Sequence, residues 1–214
     1  MSHMPDPVMQ SDSSPDVQKI PTPTSNAPQG SLFVYTALAL GLALIIRFFV
    51  AAPYVVSGAS MEPTFDTWNY LIVDRLSYEL ASPVRGDVIV FDLPQDTARA
   101  LIKRVIGLPG DTVELSGTAP TVTITDKDHP KGFTLLEPYL AETNLGGASN
   151  MKVTLGKDQY FVLGDNRKVS ADSRLWGILP RNDIVGRVLL RLYPLNVLGI
   201  LPGESRYGEA SLAQ

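Results

Sequence analysis

The chain has 214 residues, with 22 acidic and 18 basic side chains, 44 % apolar residues, no cysteine and two histidines. This length allows one domain with appendages, and the apolar content is sufficient for a buried core. The absence of cysteine excludes disulfides, thiolate metal sites and a cysteine nucleophile, and a net charge of −4 argues against a nucleic-acid-binding protein. His3 and His129 both lie in polar stretches. Acid–base chemistry near neutral pH therefore has to use other side chains.

The first 31 residues contain six prolines and six serines and show no apolar periodicity. A segment of this composition buries too little apolar surface to offset the entropy cost of ordering it. It predicts a flexible N-terminal tail over residues 1–31.

The next segment, residues 32–52, reads LFVYTALALGLALIIRFFVAA, and 18 of its 21 residues are apolar. A helix of this length rises about 30 Å, which is the thickness of the hydrocarbon core of a bilayer. The segment predicts a transmembrane helix. A buried core helix and a cleaved signal peptide are the alternatives, but the segment lacks a basic flank and begins 31 residues into the chain.

From residue 53 onward the sequence favours a mainly β domain that extends to residue 214. Short β-branched runs alternate with turns rich in Gly, Pro and Asp, which is typical of strands joined by tight loops. The predicted strands cover residues 70–73, 87–91, 101–106, 112–115, 121–125, 159–163 and 184–192. Residues 116–157 are more polar and predict a smaller inserted subdomain, and the apolar run over residues 188–201 predicts an edge strand followed by a loop near the membrane.

Ser60 is the first candidate for chemistry. It lies among small residues, directly before Met-Glu-Pro, in the stretch SGASMEPT. An exposed backbone of this kind lets a substrate carbonyl approach a nucleophile, although a serine in such a turn is more often a simple turn residue.

Lys103 is the second candidate, in the apolar stretch LIKRVI. Burial lowers the pKa of a lysine and makes its neutral amine available as a base. The alternative is an edge strand whose lysine reaches solvent.

The third feature is the loop GDNRKVSADSR, residues 164–174, which follows a predicted buried strand. A polar loop of this density is either simply solvated or builds a site. In a site, Ser170 could hold a neutral amine while Asp172 and Arg174 form a structural ion pair.

Four stretches of the sequence resemble, in the same order, the sequence boxes of bacterial type I signal peptidases. They are SGASMEPT, RGDVIVF, LIKRVIGLPGDTV and GDNRKVSADSR. The resemblance covers about residues 32–192. These enzymes are membrane-bound serine proteases that remove signal peptides from exported proteins.

The resemblance implies a role for each matching residue. Ser60 is implied to be the nucleophile and Lys103 the general base, and Ser170 is implied to orient Lys103. Two pairs, Asp172 with Arg174 and Arg104 with Asp165, are implied to support the site. Gly58 is a departure, because some members of the family have a serine there that adds an oxyanion donor, so the second donor is undetermined.

The resemblance also implies how the protein is placed and what it cleaves. It implies one span in the bacterial cytoplasmic membrane, a cytoplasmic amino terminus and a catalytic domain on the outer face. It further implies a β-rich core with a smaller β subdomain, and cleavage of preproteins after small residues in an Ala-X-Ala-like pattern. Signal peptides and membrane lipid are the expected partners, and no cofactor or metal is expected.

Two other functions share part of this pattern. A self-cleaving serine/lysine peptidase of the SOS-repressor type uses the same chemistry, but this chain has no helix-turn-helix region and contains an apolar segment. A non-catalytic membrane-anchored β domain is the other alternative, and the presence of both Ser60 and Lys103 argues against it.

Overall fold

A computed structural model describes residues 29–45, 47, 50–117, 121–147, 150–205 and 207. Residues 1–28 of the predicted tail lie outside these residues, and residues 29–31, which the prediction assigned to the tail, instead begin helix α1 (Gln29–Ile45). The described part is mainly β, as predicted, and each of the seven predicted strands is present.

The strands are β1 Ala51–Val55, β2 Tyr70–Asp74, β3 Val88–Leu93, β4 Asp96–Gly107, β5 Thr112–Ser116, β6 Thr121–Thr125, β7 Phe133–Thr134, β8 Met151–Thr154, β9 Gln159–Leu163, β10 Leu179–Pro180, β11 Ile184–Tyr193 and β12 Gly199–Ile200. The helices are α1 Gln29–Ile45, α2 Ser77–Leu80 and α3 Ser173–Trp176.

The strands form two antiparallel sheets. The larger sheet has the order β1-β2-β11-β3-β4-β9-β10, with β12 paired to β11, and the smaller sheet has the order β7-β6-β5-β8. In β2, β5 and β6, buried and more exposed residues alternate, because successive side chains of a strand point to opposite faces. One face of each of these strands therefore contributes to a core.

Strand β11 is not the edge strand that its polar interruptions predict. It lies between β2 and β3 in the larger sheet. Gly186 allows β11 to approach β2 closely, since a Cβ at this residue would lie 2.3 Å from the carbonyl oxygen of Asp74 in β2. Of the interruptions that suggested an edge, Arg191 lies in the second half of β11, where burial decreases, whereas Pro194 and Asn196 follow the strand.

Strand β4 connects the two sheets. Its 12 residues pair with β3 and, near the end, with β9, and the chain then enters β5 of the smaller sheet. Ile106 from β4 and Phe161 from β9 join one hydrophobic cluster with Val113 and Val122 of the smaller sheet. The position of Lys103 in the middle of β4 is therefore set by packing on both sides of the strand.

The apolar segment over residues 32–52 is described as the 17-residue helix α1 up to Ile45, and residues 46, 48 and 49 lie outside the described residues. Ala51 and Ala52, which the predicted span included, instead begin β1 because they pair with Asp74 and Val73 of β2. Within the described part of the chain, no helix combines the length and the apolar character needed to cross a membrane.

We expect Gly107→Ala to destabilise the fold. A Cβ at residue 107 would lie 2.5 Å from Val113 Cγ2 and 2.7 Å from Leu155 Cδ1, both of which are in the core. Overpacking of this kind costs about 1–3 kcal/mol of the free energy of unfolding, which urea denaturation followed by circular dichroism would measure. Gly199→Ala is the control, because the nearest atom to its added Cβ is 3.8 Å away. Equal urea midpoints for Gly107→Ala and Gly199→Ala would contradict the conclusion that the core leaves no room for a side chain at residue 107.

Candidate active site

Ser60 lies in the turn that follows β1, and the core holds this turn in place. Met61 and Phe65 are completely buried beneath it. Gly58 has a positive φ of 98°, a conformation that favours glycine, and its amide donates to the Thr67 hydroxyl at 3.2 Å. The turn is thereby anchored on both sides of Ser60, which itself stays partly exposed.

Lys103 extends from β4 to the Ser60 turn. Its Nζ lies 2.7 Å from Ser60 Oγ and donates to the carbonyl oxygen of Ile102 at 2.8 Å. The side chain is buried, with Lys103 only 2 % exposed. The alternative of a lysine that reaches solvent from an edge strand is therefore wrong.

Burial also sets the protonation of this amine. Desolvation lowers the pKa of Lys103 to about 8, against the negative charges of Asp172 and Asp165, which raise it. At pH 7 a lysine with this pKa is neutral in about a tenth of the molecules, compared with well under a thousandth for an ordinary lysine. The arrangement can supply a base beside the Ser60 hydroxyl.

The loop over residues 164–174 is braced by the predicted ion pair. Asp172 is completely buried, and its carboxylate accepts from Arg174 Nε at 2.8 Å and Nη2 at 2.9 Å. It also accepts from the amide of Gly164 at 3.1 Å and caps helix α3 by accepting from the amide of Arg174. Arg174 in turn donates to the carbonyl oxygens of Gly147 and Arg167. The pair therefore links the two ends of the loop.

Ser170 is brought beside Ser60 without a hydrogen bond to Lys103. Its Oγ is buried and has no hydrogen-bond partner among the described residues. A Cβ on Gly164 would lie 2.2 Å from Ser170 Oγ and 2.5 Å from the carbonyl oxygen of Ser60. That carbonyl also accepts from the amide of Asn166 at 3.0 Å. Gly164 thus permits the close approach of the loop to the Ser60 turn.

Arg104 and Asp165 form the second predicted pair. Arg104 Nε and Nη2 donate to the two carboxylate oxygens at 2.8 and 2.6 Å, and both residues are completely buried. The Thr64 hydroxyl also donates to this carboxylate. This pair ties β4 to the start of the loop and to the end of the Ser60 turn.

Four residues beside these pairs were not predicted as site residues, and of them Arg167 is buried and the others are half-buried: Glu137, Tyr139, Arg167 and Tyr207. Arg167 and Glu137 form an ion pair with both side chains 5 % exposed, and the Tyr139 ring covers Arg104. The polar stretch that contains Glu137 shows no periodicity. Arg167 was a signal only if its loop builds a site, because an arginine that is buried there requires a carboxylate partner.

A cavity of about 100 Å³ opens beside Ser60 between β1 and β4. Its walls are mainly apolar side chains from the end of β1 and from β4, among them Tyr54, Val56 and Ile102, and Lys103 completes it. The pairing of β4 with β9 begins at Arg104, so the earlier residues of β4 have one unpaired edge among the described residues. The cavity can therefore hold a small apolar side chain next to the serine.

The described residues include no group of three or more His, Asp or Glu side chains that could hold a metal ion.

The family model "Signal peptidase, peptidase S26" matches residues 29–193. A "Probable signal peptidase I-1" from Synechocystis sp. is 40 % identical over 171 residues, 77 % of this chain and 82 % of that protein. "Signal peptidase I" from Leptolyngbya laminosa is 37 % identical over 86 % of this chain and 90 % of that protein. A crystal structure of a signal peptidase I from Enterococcus faecalis V583 is 33 % identical and covers 50 % of this chain and 97 % of that chain, with a TM-score of 0.41. With a matching family model over most of its length and relatives of this identity, the chain belongs to the signal peptidase family of serine peptidases, peptidase S26.

Proposed function

We propose that this protein is a membrane-anchored serine endopeptidase that removes signal peptides from exported preproteins, with Ser60 as nucleophile and Lys103 as general base. The observation that carries this proposal is the 2.7 Å contact between Ser60 Oγ and the Lys103 amine. The amine is buried, and desolvation lowers its pKa to about 8. A serine is a weak nucleophile unless an adjacent base takes its proton, and this contact supplies one.

The reaction proceeds in two halves. The neutral Lys103 amine accepts the Ser60 proton while Oγ attacks the scissile carbonyl carbon, and the Ser60 backbone amide donates to the oxyanion that forms. The Lys103 ammonium then gives its proton to the leaving amine as the peptide bond breaks, which leaves an acyl-enzyme. In the second half, Lys103 accepts a proton from water, whose hydroxide attacks the ester carbonyl, and returns that proton to Ser60.

The supporting residues keep this pair in place. The buried Ser170 hydroxyl, which lacks a hydrogen-bond partner among the described residues, is available to bind the Lys103 amine once Ser60 is acylated. The pairs Asp172 with Arg174 and Arg104 with Asp165 hold the loop and β4. At residue 58 there is no hydroxyl to serve as a second oxyanion donor.

The substrate enters as an extended strand between β1 and β4. Both strands line the cavity and have an edge that no described strand occupies, and an added strand would bind there through main-chain hydrogen bonds. The cavity of about 100 Å³ accommodates a small side chain at the cleavage site. This favours Ala-X-Ala-like sequences over those with large residues.

The apolar segment over residues 32–52 anchors the enzyme in the bacterial cytoplasmic membrane, with the catalytic domain on the outer face. The support is its composition, with 18 apolar residues of 21, and apolar side chains in α1 that are exposed, such as Phe33 at 77 % and Leu38 at 64 %. Ala51 and Ala52 at the end of this segment already pair in β1, so the anchor is the part that precedes them, and it would hold Ser60 near the membrane surface, where signal peptides emerge.

Ser60→Ala and Lys103→Ala should each reduce kcat for preprotein cleavage by at least about 10³-fold while the fold is retained, because each removes one member of a unit that acts together. The measurement is cleavage of a purified preprotein in detergent, with the cut site identified by mass spectrometry. Lys152→Ala is the control, since Lys152 is an exposed lysine on the smaller sheet that pairs with Glu114. Full activity in either site variant would refute the assignment of the pair.

The pH dependence of kcat/KM should show an acidic limb at about pH 8. The base acts only when neutral, and the pKa of Lys103 is lowered to about 8, so activity falls as the pH decreases through this value. Circular dichroism over the same pH range would show that the protein stays folded. A limb two pH units lower, or the same limb in a Lys103→Arg variant with residual turnover, would place the base elsewhere.

A further inference from the structure

The Arg104 guanidinium is enclosed both at its edges and on one face. Its N–H groups donate to Asp165, to the carbonyl oxygen of Gly86 at 3.0 Å and to that of Gly203. Hydrogen bonds to a guanidinium lie in its plane, so they leave its faces uncovered. The Tyr139 ring covers one face, with its centroid 3.7 Å from Arg104 Cζ. This distance is within the range of a cation–π contact, which strengthens when both groups are desolvated.

Tyr139 is itself held by hydrogen bonds. Its hydroxyl donates to Glu137 Oε1 at 2.6 Å and accepts from the hydroxyl of Tyr207 at 3.2 Å. Burial and the charge of Glu137 raise the pKa of Tyr139 far above its ordinary value, so the hydroxyl stays protonated and remains a donor. The ring is therefore fixed in the orientation that covers Arg104.

Glu137 extends the contacts to the loop of Ser170. Its carboxylate accepts from both terminal nitrogens of Arg167, at 3.1 Å in the case of Nη1. Arg167 also donates through Nε to the carbonyl oxygen of Gly164 at 3.1 Å, and it lies three residues before Ser170. The segment of Glu137 and Tyr139 thus contacts both β4 and the loop.

We propose that Tyr139 and Glu137 are positioning residues for the reaction, Tyr139 acting through Arg104 and Glu137 acting through Arg167. This inference rests on the proposed function. Together the two side chains clamp the strand that carries Lys103 to the loop that carries Ser170, although neither of them touches Ser60 or Lys103 in the contacts described above.

The clamp has a consequence for the Lys103 amine. The charged groups that face this amine are Asp165 and Asp172, both from the loop, and both raise its pKa against the larger effect of burial. Without the Tyr139 ring, Arg104 loses its cover and neutralises Asp165 less completely, and the loosened contact between β4 and the loop lets water reach the Lys103 amine. Both changes raise the pKa of Lys103 toward the ordinary value of 10.5.

The experiment compares Tyr139→Leu with Tyr139→Phe and Glu137→Gln in the full chain. Tyr139→Leu, which removes the ring, should lower kcat about 10- to 100-fold with KM changed less than about twofold, and should move the acidic limb to higher pH. Tyr139→Phe keeps the ring over Arg104 and should lower kcat less than about fivefold. Glu137→Gln removes the charge that faces Arg167 and should lower kcat about tenfold.

Tyr78 provides a matched control. It is a buried tyrosine whose hydroxyl likewise donates to a carboxylate, that of Asp87 at 2.6 Å, and its ring likewise contacts an arginine, Arg181. Tyr78→Leu should lower the melting temperature to a similar extent but leave the acidic limb in place. A loss of stability alone is therefore not expected to move the acidic limb of the pH profile.

Direct titration of Lys103 by ¹³C NMR of lysine-labelled protein separates this inference from the proposed function. The pKa of Lys103 should rise in Tyr139→Leu and stay unchanged in Tyr78→Leu, whether or not Ser60→Ala abolishes cleavage. If Tyr139→Leu does not fold, the same measurements on Glu137→Gln decide, with a rise of the Lys103 pKa and a lower kcat expected. An unchanged kcat and an unchanged Lys103 pKa in a folded Tyr139→Leu or Glu137→Gln variant would overturn the proposed roles of Tyr139 and Glu137. Changes of the same size in Tyr78→Leu would overturn them as well.

Discussion

The most demanding feature of this structure is a lysine amine kept out of water at 2.7 Å from a serine hydroxyl. A charged amine is costly to bury, and this cost is what lowers the pKa of Lys103 to about 8. The arrangement requires a strand that is covered on both faces and a turn that brings Ser60 to the amine. Strand β4, whose adjacent residues Val105 and Ile106 lie in two different hydrophobic clusters, and the buried anchors Met61 and Phe65 provide these two elements.

A dry environment around Lys103 imposes a second condition, since other charges in that region have to be paired. Each buried charge described beside the site has a partner held by two hydrogen bonds. The pairs are Arg104 with Asp165, Arg167 with Glu137, and Arg174 with Asp172. Removing one partner of such a pair leaves an uncompensated buried charge, which is strongly destabilising. The pairs therefore fix the geometry of the loop and limit the field at the Lys103 amine.

The two sheets cooperate in this arrangement. The larger sheet carries Lys103 and packs against the Ser60 turn, whereas the chain that leaves the smaller sheet after β7 carries Glu137 and Tyr139. A shared hydrophobic cluster and the absence of a side chain at Gly107 allow β4 to run directly from one sheet to the other. Packing in the smaller sheet is thus connected to the proposed dyad through contiguous buried contacts.

The local sequence was sufficient to predict the mainly β fold, seven of the twelve described strands and the family, because strand periodicity and the boxes around Ser60 and Lys103 are properties of adjacent residues. It could not decide whether Lys103 is buried, whether β11 is central, or which carboxylate pairs with Arg167. These outcomes depend on contacts between distant segments, such as the 30 residues that separate Glu137 from Arg167. The local motifs identify Ser60 and Lys103 as candidates. Only the tertiary packing of β4 and the Ser60 turn brings the two side chains to hydrogen-bonding distance and buries the amine, and this burial lowers its pKa from the ordinary value of 10.5.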